Sequence, residues 1–365
     1  MDDDDIAGIE PEARATQPTD APAQNPGADD RRKHERPHDR VGGRLGRVAG
    51  WRGMLAAAAP MMLGTELANA PLPRGAPAAA CADASADPAS TREFDFTDRD
   101  FERARRLIYE EAGISLSPEK RNMVYGRLAR RLRQLRERSF ERYLDRIESR
   151  DRAEIETFTN ALTTNLTAFF REPHHFPILA GHLRRPGAPR PLVVWCAACS
   201  TGEEAYSIAM TAVEAFGSFA PPVRILASDV DTNVLATAQG GMYWEEHAEN
   251  IPPERLKRFF LRGRGAYAGQ MRVRDELRSL VTFRRINLLE PGWPLRGPLD
   301  AIFCRNVMIY FDRSTQLAIL ERFAPLLRPD GLMFAGHSES LHHASRLFRP
   351  CGKTVYEVAK PGLAG

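Results

Sequence analysis

The segment that most constrains this chain is PLVVWCAACSTGEEAYSIAM, which runs from Pro191 to Met210. Its first part, Leu192–Cys196, is a short apolar run rich in β-branched residues, which predicts a buried strand. Only small residues follow from Ala197 to Gly202, so the backbone there can turn sharply and approach a ligand closely. The spacing of Thr201 and Glu204 predicts a capping box that opens a helix. A strand, a small-residue loop and a helix start are typical of α/β folds that bind nucleotide-like ligands.

Length and composition narrow the class of protein. A chain of 365 residues favours two domains, and a formal net charge of +3 does not indicate a nucleic-acid-binding protein. Five cysteines in a chain of this length do not predict a disulfide framework, so we expect a cytoplasmic protein. The apolar stretch from Met54 to Gly64 is too short to cross a bilayer, and we expect no membrane insertion.

The sequence divides into four regions. Residues 1–92 are rich in Ala, Pro, Asp and Gly and nearly free of aromatic residues, which predicts a disordered tail. Residues 93–172 predict a small helical domain, residues 173–190 a linker, and residues 191–361 an α/β domain. The helices expected in the helical domain run from a Thr97–Asp100 capping box to about Gly113, from Ser117-Pro118 to about Arg138, and over Phe140–Ser149 and Asp151–Leu162.

The long helix of the helical domain is unusually basic. It carries Arg127, Arg130, Arg131, Arg133, Arg136 and Arg138, with few carboxylates among them. Such a run is either an ordinary solvated helix face or a surface that docks an acidic partner. The residues alone leave both interpretations open.

From Arg190 onward strands and helices alternate, which predicts a parallel doubly wound sheet. The expected strands are Leu192–Cys196, Val223–Ser228, Val281–Ile286, Leu299–Cys304, Leu332–Gly336 and Thr354–Val358, and the expected helices are Glu203–Ala215, Asn233–Gln239, Ser314–Leu327 and Ser340–Phe348. Residues 241–280 interrupt this alternation with a helix near Pro253–Leu261 and a hairpin around Gly263–Val273. We therefore predict a small subdomain inserted beside the sheet.

Acidic residues indicate the kind of ligand. Asp229 ends the second predicted strand, where doubly wound folds place a carboxylate against ribose hydroxyls, although Asp231 competes for this role. The first loop lacks both GxGxxG and a Walker lysine, which disfavours a dinucleotide or a nucleoside triphosphate. Glu203 and Glu204 would repel phosphate but suit an ammonium group, or they could stabilise the helix dipole. Together these features indicate S-adenosylmethionine.

With these residues in place, the chain from Phe94 to Lys360 resembles the CheR-type chemotaxis receptor methyltransferases. The segments that carry the resemblance are TTNLTAFFREPHHF (Thr163–Phe176), CSTGEEAYSIAM (Cys199–Met210) and FCRNVMIYFD (Phe303–Asp312), supported by ASDVD (Ala227–Asp231), INLL (Ile286–Leu289), LRPDGLMFAGHSE (Leu327–Glu339) and KTVYEV (Lys353–Val358). The resemblance implies a Rossmann-like class I methyltransferase domain with a small β-subdomain, preceded by a small all-helical domain. It also implies transfer of a methyl group from S-adenosylmethionine to glutamates of methyl-accepting chemoreceptors, by a monomer without a metal.

The resemblance also assigns roles to single residues. It implies that Asn165, Thr167 and Arg171 reach the cofactor from between the domains, that Glu204 and Asp229 bind its amino acid and ribose, and that Asn287, Leu288, Arg305 and Asn306 line the adenosine side. Arg171 would clamp the incoming carboxylate and Tyr310 would line the methyl-transfer channel. Taken singly, Asn165 and Thr167 could be helix caps, Arg305 a surface ion pair and Tyr310 a core aromatic residue.

The family resemblance also suggests two contacts with the receptor. The arginine-rich helix would face the acidic methylation helices, with Arg127, Arg131 and Arg138 as docking residues. The inserted segment resembles the β-subdomain that tethers some relatives to a C-terminal receptor pentapeptide, through the loop RGRGAYAG (Arg262–Gly269).

The sequence also bears on three other functions: redox or metal chemistry, methylation of nucleic acids and non-catalytic sensing. Cys196 and Cys199 have the spacing of redox and zinc motifs, but no second pair of this kind is present, so no metal is predicted. A methyltransferase that acts on nucleic-acid bases is disfavoured because the Asn-Pro-Pro-Tyr and Asp-Pro-Pro-Tyr signatures are absent. A non-catalytic sensor of S-adenosylmethionine is disfavoured by the presence of Arg171, Asn306 and Tyr310.

Overall fold

A computed structural model describes residues 92–359. The predicted disordered tail lies outside the described residues except for residue 92, as do residues 360–361 of the predicted α/β domain. The α-helices are α1 (Asp98–Ala112), α2 (Arg121–Leu135), α3 (Phe140–Glu148), α4 (Arg152–Leu162), α5 (His175–Leu183), α6 (Glu203–Phe216), α7 (Thr232–Gly240), α8 (Pro253–Phe259), α9 (Asp275–Arg278) and α10 (Arg313–Phe323). The strands are β1 (Leu192–Cys196), β2 (Val223–Asp229), β3 (Met242–Trp244), β4 (Phe260–Arg262), β5 (Gln270–Val273), β6 (Val281–Arg285), β7 (Leu299–Phe303), β8 (Leu327–Phe334), β9 (Phe348–Gly352) and β10 (Val355–Val358).

Helices α1–α4 form the predicted helical domain around one apolar core. Helix α1 begins at the predicted capping box, in which Thr97 and Asp100 each accept a hydrogen bond from the backbone of the other. It ends at Gly113, whose φ of 69° suits glycine. The predicted long helix is wrong in detail, because a 3₁₀ turn at Pro118–Lys120 precedes α2 and Arg136 ends α2 with a φ of 55°.

The α/β domain contains a seven-stranded sheet in the order β6-β2-β1-β7-β8-β10-β9. Strands β6, β2, β1, β7 and β8 are parallel to one another. The order reverses between β1 and β7, and in doubly wound sheets such a switch point opens a crevice at the carboxyl ends of the strands. The loops after β1, β2, β6 and β7 therefore meet at one edge of the sheet.

Two predictions about the end of the sheet are wrong. Strand β10 pairs in antiparallel fashion with both β8 and β9. Only residues 353–354 separate β9 from β10, whereas a parallel pair needs a long crossover connection. The helix expected at Ser340–Phe348 does not form, since Phe348 instead starts edge strand β9, which contains Pro350. Helix α10 also ends earlier than predicted, at Phe323, just before Ala324 and Pro325.

The inserted segment forms a separate antiparallel sheet in the order β3-β5-β4. Strands β4 and β5 make the predicted hairpin. Gly263 is required in its loop, because a Cβ atom there would lie 2.1 Å from the carbonyl oxygen of Tyr267.

The segment predicted as a linker, residues 173–190, contains helix α5. This helix packs on α6 and buries Leu179 and Leu183 in the core of the α/β domain, so it is not a spacer. None of the helices between residues 92 and 359 combines the length and apolar character needed to cross a bilayer.

Candidate active site

One cavity of about 370 Å³ lies at the carboxyl edge of the sheet, between the α/β domain and the helical domain. Its size suits a small-molecule ligand. The cavity is lined by every residue predicted to act in cofactor binding or catalysis: Asn165, Thr167, Arg171, Glu204, Asp229, Asn287, Leu288, Arg305, Asn306 and Tyr310. The structure thus brings together residues from five separate segments of the chain.

The loop after β1 reaches the cavity without the predicted capping box. Gly202 precedes α6 with a φ of 100° and no side-chain cap, while the hydroxyl of Thr201 donates to Glu203. A Cβ atom at Gly202 would lie 2.8 Å from the Cβ of Ala238, so only glycine fits. The prediction was wrong because Glu204, its acidic member, points to the cavity instead of capping the helix.

Glu204 belongs to a buried ion-pair network. Its Oε2 accepts a hydrogen bond from Nη1 of Arg305 at 2.6 Å, and its Oε1 accepts one from the Cys196 thiol at 3.2 Å. Nη2 of Arg305 lies 3.2 Å from Oε2 of Glu172 and also donates to the carbonyl oxygen of Arg171. Arg305 is 5% exposed, so it is not the surface ion pair that the sequence left open. Its contact is with Glu204, the residue expected at the amino acid, although the resemblance grouped Arg305 with the adenosine side.

Sequence reasoning missed two carboxylates that shape this network. Glu172 accepts hydrogen bonds from the backbone N–H of His337 and from the side chain of Asn306. Glu339 accepts hydrogen bonds from the backbone N–H groups of Asn306 and Met308 and so fixes the loop after β7. Both lie within the family segments, but their partners are distant in sequence, and only the fold brings them together.

Backbone strain concentrates at this edge of the sheet. Glu172, Ser200 and Asn306 have φ values of 54°, 48° and 57°, a region that non-glycine residues rarely adopt. Such conformations persist where surrounding contacts fix them, and they cluster at binding and catalytic sites.

Asp229 and Asp231, the two candidates for the ribose carboxylate, differ in their contacts. Both oxygens of Asp231 are used inside the protein: one accepts from Thr163 and Asn165, and the other caps α7. Asp229 lines the cavity and accepts hydrogen bonds from the backbone N–H groups of Ser200 and Asp231. Burial raises the pKa of Asp229 to about 6.

The segment between the domains is anchored to the cavity. The side chain of Asn165 donates to Asp231, and its carbonyl oxygen accepts from the hydroxyl of Ser200. Nη1 of Arg171 donates to the carbonyl oxygen of Leu166 at 2.8 Å, and Arg171 lines the cavity. Asn165 is therefore a cavity residue and not a helix cap.

The opposite wall joins the two domains. The side chain of Asn287 donates to the carbonyl oxygen of Glu111 in α1 at 2.6 Å and accepts from the backbone of Leu289. Leu288 beside it is buried and lines the cavity. Tyr310 is partly buried against the helical core and also lines the cavity.

The predicted docking residues do not share one environment. Arg131 forms a two-point ion pair with Glu154, and Arg127 donates to the carbonyl oxygen of Thr163 at 2.6 Å, so both are engaged inside the helical domain. Their role as docking residues stays a prediction, and these contacts show that part of their hydrogen-bonding capacity is used within the protein. Arg138 is exposed, as are Arg130, Arg133 and Arg136.

The cysteine pair does not support redox or metal chemistry. Cys196 and Cys199 are both buried free thiols, and burial raises both pKa values well above the usual range, which disfavours the thiolates that such chemistry needs. Elsewhere, Glu172, His174 and His175 bring potential ligand atoms within 4.8 Å of one another, with the Arg305 guanidinium beside Glu172. The prediction that no metal is used stays a prediction.

Comparison with known proteins agrees with this geometry. The family model "CheR methyltransferase, all-alpha domain" matches residues 99–163, and "CheR methyltransferase, SAM binding domain" matches residues 165–357. Chemotaxis protein methyltransferase 2 of Pseudomonas aeruginosa is 58% identical over 269 residues, which cover 73% of this chain and 96% of the relative. The chemotaxis protein methyltransferases of Escherichia coli and Salmonella typhimurium are each 52% identical over 272 residues, which cover 74% of this chain and 94% and 93% of those relatives.

The all-helical domain, the sheet with its switch-point cavity and the sequence matches agree with one another in order and extent. The chain belongs to the CheR methyltransferase family and is an S-adenosylmethionine-dependent methyltransferase of chemotaxis.

Proposed function

We propose that this enzyme transfers the methyl group of S-adenosylmethionine to glutamate carboxylates of chemoreceptors, with the cavity at the switch point as its active site. The observation that carries this proposal is that all ten predicted cofactor and catalytic residues line one cavity. The products would be a glutamate methyl ester and S-adenosylhomocysteine.

The cavity offers groups that fit each part of the methyl donor. Glu204 would receive the ammonium group, and Asp229 would accept hydrogen bonds from the ribose hydroxyls. The buried Nε of Arg305 has no hydrogen-bond partner among residues 92–359, which makes it a donor available to a carboxylate. Asn287 and Leu288 would lie along the nucleoside.

The reaction asks for positioning more than for acid–base chemistry. S-adenosylmethionine supplies a methyl group on a positively charged sulfur, which is already an activated leaving group. A glutamate side chain is ionised at neutral pH, so no general base has to remove a proton. Arg171 would hold the acceptor carboxylate through its guanidinium donors, and alignment of this kind is worth roughly 7–11 kcal/mol. Tyr310 would border the path of the methyl group.

A labelled-methyl transfer assay tests the proposal. The full chain is incubated with labelled S-adenosylmethionine and a receptor cytoplasmic fragment, and base-labile methyl incorporation is counted. We expect transfer that S-adenosylhomocysteine inhibits and that falls about 100-fold or more in Arg171→Ala. Arg184→Ala, which changes an exposed arginine at the end of α5, serves as the matched control.

Receptor methylation by the wild type and its loss in Arg171→Ala would support the proposal. Incorporation into DNA or RNA instead of receptor would contradict it in favour of a nucleic-acid substrate. Binding of S-adenosylhomocysteine without any turnover would contradict it in favour of a sensor.

The tethering hypothesis concerns the inserted subdomain. Strands β3 and β4 are the two edges of its three-stranded sheet, and edge strands can accept an added peptide strand. The Arg262–Gly269 loop beside β4 presents Tyr267, which is 60% exposed. We propose that a C-terminal receptor pentapeptide binds here. Calorimetric titration of that peptide should show saturable binding that Tyr267→Ala weakens, and no heat of binding would contradict the hypothesis.

A further inference from the structure

Two apolar side chains at the cavity are largely open to solvent. Leu166 is 80% exposed and Ile309 is 49% exposed, and both line the cavity. Leu166 belongs to the segment between α4 and α5, and Ile309 belongs to a 3₁₀ turn at Met308–Tyr310. Leu166 and Ile309 together are called the apolar mouth below.

The exposure of Leu166 does not come from a loose backbone. Its carbonyl oxygen accepts a hydrogen bond from Arg171 at 2.8 Å, and the carbonyl oxygen of Asn165 accepts one from Ser200 at 3.0 Å. The backbone on this side of the cavity is therefore fixed while the leucine side chain faces water.

The turn that carries Ile309 is fixed in the same way. The backbone N–H of Met308 donates to Glu339 at 2.7 Å, and its carbonyl oxygen accepts from the side chain of Gln316. The carbonyl oxygen of Tyr310 accepts from the backbone N–H of Ser115 at 2.8 Å. Two anchored segments thus each present one apolar side chain to solvent at the same cavity.

Charge differs between the outer and inner parts of the cavity. Exposed Lys120 and partly exposed Arg171 line it, whereas its carboxylates, Glu204 and Asp229, are each only 9% exposed. The accessible lining therefore combines the two apolar side chains and these cations with exposed neutral hydroxyl groups of Ser115, Ser117 and Thr164, while the carboxylates are buried. Such a surface complements a carboxylate flanked by apolar groups.

We propose that the apolar mouth docks the receptor segment around the acceptor glutamate, by burying apolar side chains that neighbour this glutamate on the same face. Lys120 attracts the negative charge of that segment. This inference rests on the proposed function and adds to it the chemistry of the segment that the enzyme selects: an acidic stretch with apolar residues beside the methylated carboxylate.

Kinetics with Leu166→Ser, Ile309→Ser and the double variant test the inference. The control is Ile178→Ser, an isoleucine that is 36% exposed on α5 and is not among the residues that line the cavity. We expect each single variant to raise KM for the receptor fragment about tenfold, as expected for loss of one buried aliphatic side chain. The Kd for S-adenosylhomocysteine and the Tm should stay at the wild-type and control values.

Three results would overturn the inference. An unchanged KM would show that the receptor does not touch the mouth. Equal losses in receptor KM and S-adenosylhomocysteine affinity would show that these side chains cover the cofactor instead. A similar loss in Ile178→Ser would show a general effect of surface polarity.

A matched change in the receptor completes the test. In these receptor fragments, the apolar residues next to the acceptor glutamate are replaced by serine. The wild-type enzyme should show a higher KM for them than for the unmodified fragment. The KM of Leu166→Ser should change little between the two fragments, because the same contact is already lost. Fully additive losses would contradict direct contact. Failure of the proposed function would appear differently, as no receptor methylation by the wild-type enzyme.

Discussion

Two buried arginine–carboxylate networks differ in how completely their polar atoms are paired. In the helical domain, Glu154 receives two hydrogen bonds from Arg131 and a third from Tyr143. At the cavity, Nε of Arg305 has no hydrogen-bond partner among the described residues, and Oε2 of Glu172, which is not a lining residue of the cavity, has an ion-pair contact with Nη2 of Arg305 at 3.2 Å. A fully paired network stabilises a fold, whereas spare donors and acceptors at a cavity are available to a ligand.

The pKa values follow the same division. Burial would raise the pKa of Glu154, but its hydrogen bonds from Arg131 and Tyr143 outweigh burial and lower it. Burial likewise opposes the charge of Glu172, and the His337 backbone and Arg305 lower its pKa. Both carboxylates are therefore ionised in the folded protein, and the networks differ in their unused atoms rather than in their charge.

The largest expected effect is on stability, in the paired network. Arg131→Ala leaves Glu154, which is 2% exposed, as a buried charge without its cation. We expect a loss of about 3–5 kcal/mol in the free energy of unfolding, measured by thermal or urea denaturation. The Kd for S-adenosylhomocysteine, measured at a temperature where the variant is folded, should be unchanged. If Arg131→Ala were as stable as the wild type but bound S-adenosylhomocysteine more weakly, the network around Glu154 would serve ligand binding instead of stability.

Asp229 extends the comparison to a buried carboxylate whose pKa is raised. The folded state holds this proton to about pH 6, against an ordinary value of 3.8, so stability present at low pH is lost as pH rises through 6. The difference corresponds to roughly 3 kcal/mol at neutral pH as an upper value. Asp229→Asn should therefore raise the Tm of the ligand-free protein at pH 7.5 and lower its affinity for S-adenosylhomocysteine.

The pH dependence provides the check on Asp229→Asn. The gain in Tm should disappear below about pH 3, where the folded and unfolded wild type both carry the proton. Asp95→Asn, a change at an exposed aspartate, should leave the Tm unchanged at both pH values. A Tm gain that is the same at both pH values would show that the charge of Asp229 is not its cause.

A substitution of Glu172 tests whether the network around Arg305 serves catalysis more than stability. Glu172→Gln removes the negative charge that holds Arg305 and weakens the contact to Asn306. We expect kcat/KM for methyl transfer to fall about tenfold, about 1.4 kcal/mol, with a small change in Tm. Glu141→Gln, at an exposed position in α3, is the control. A large loss of stability with normal turnover would place Glu172 with Glu154 as a structural residue.

The location of the site residues at strand ends could be predicted, because the topology of a parallel sheet places these ends at one edge. The predicted loop after β1, Asp229 at the end of β2, Asn287 after β6 and Arg305 after β7 all lie at one edge of the sheet. Once the alternation of strands and helices is recognised, a parallel sheet must bring them together. The cavity could therefore be predicted before its shape was known.

Side-chain partners could not be predicted in this way. The pairing of Arg131 with Glu154 and of Glu172 with Arg305 depends on how helices and loops pack, which no local pattern encodes. For the same reason the sequence left the arginine-rich helix undecided between a solvated face and a docking surface. Its structure divides the arginines into an engaged group and an exposed group.

The smallest expected effect concerns the exposed arginines of that helix. Arg130→Glu with Arg138→Glu should raise KM for the receptor severalfold if this surface attracts an acidic partner, because exposed charges act through screened long-range attraction. The effect should shrink as salt is added, and the Tm and the Kd for S-adenosylhomocysteine should not change, since neither arginine belongs to the paired network. Arg346→Glu, an exposed charge reversal in the α/β domain, controls for net charge. Equal increases in KM for the pair and for Arg346→Glu would indicate a general charge effect and would leave the helix as an ordinary solvated face.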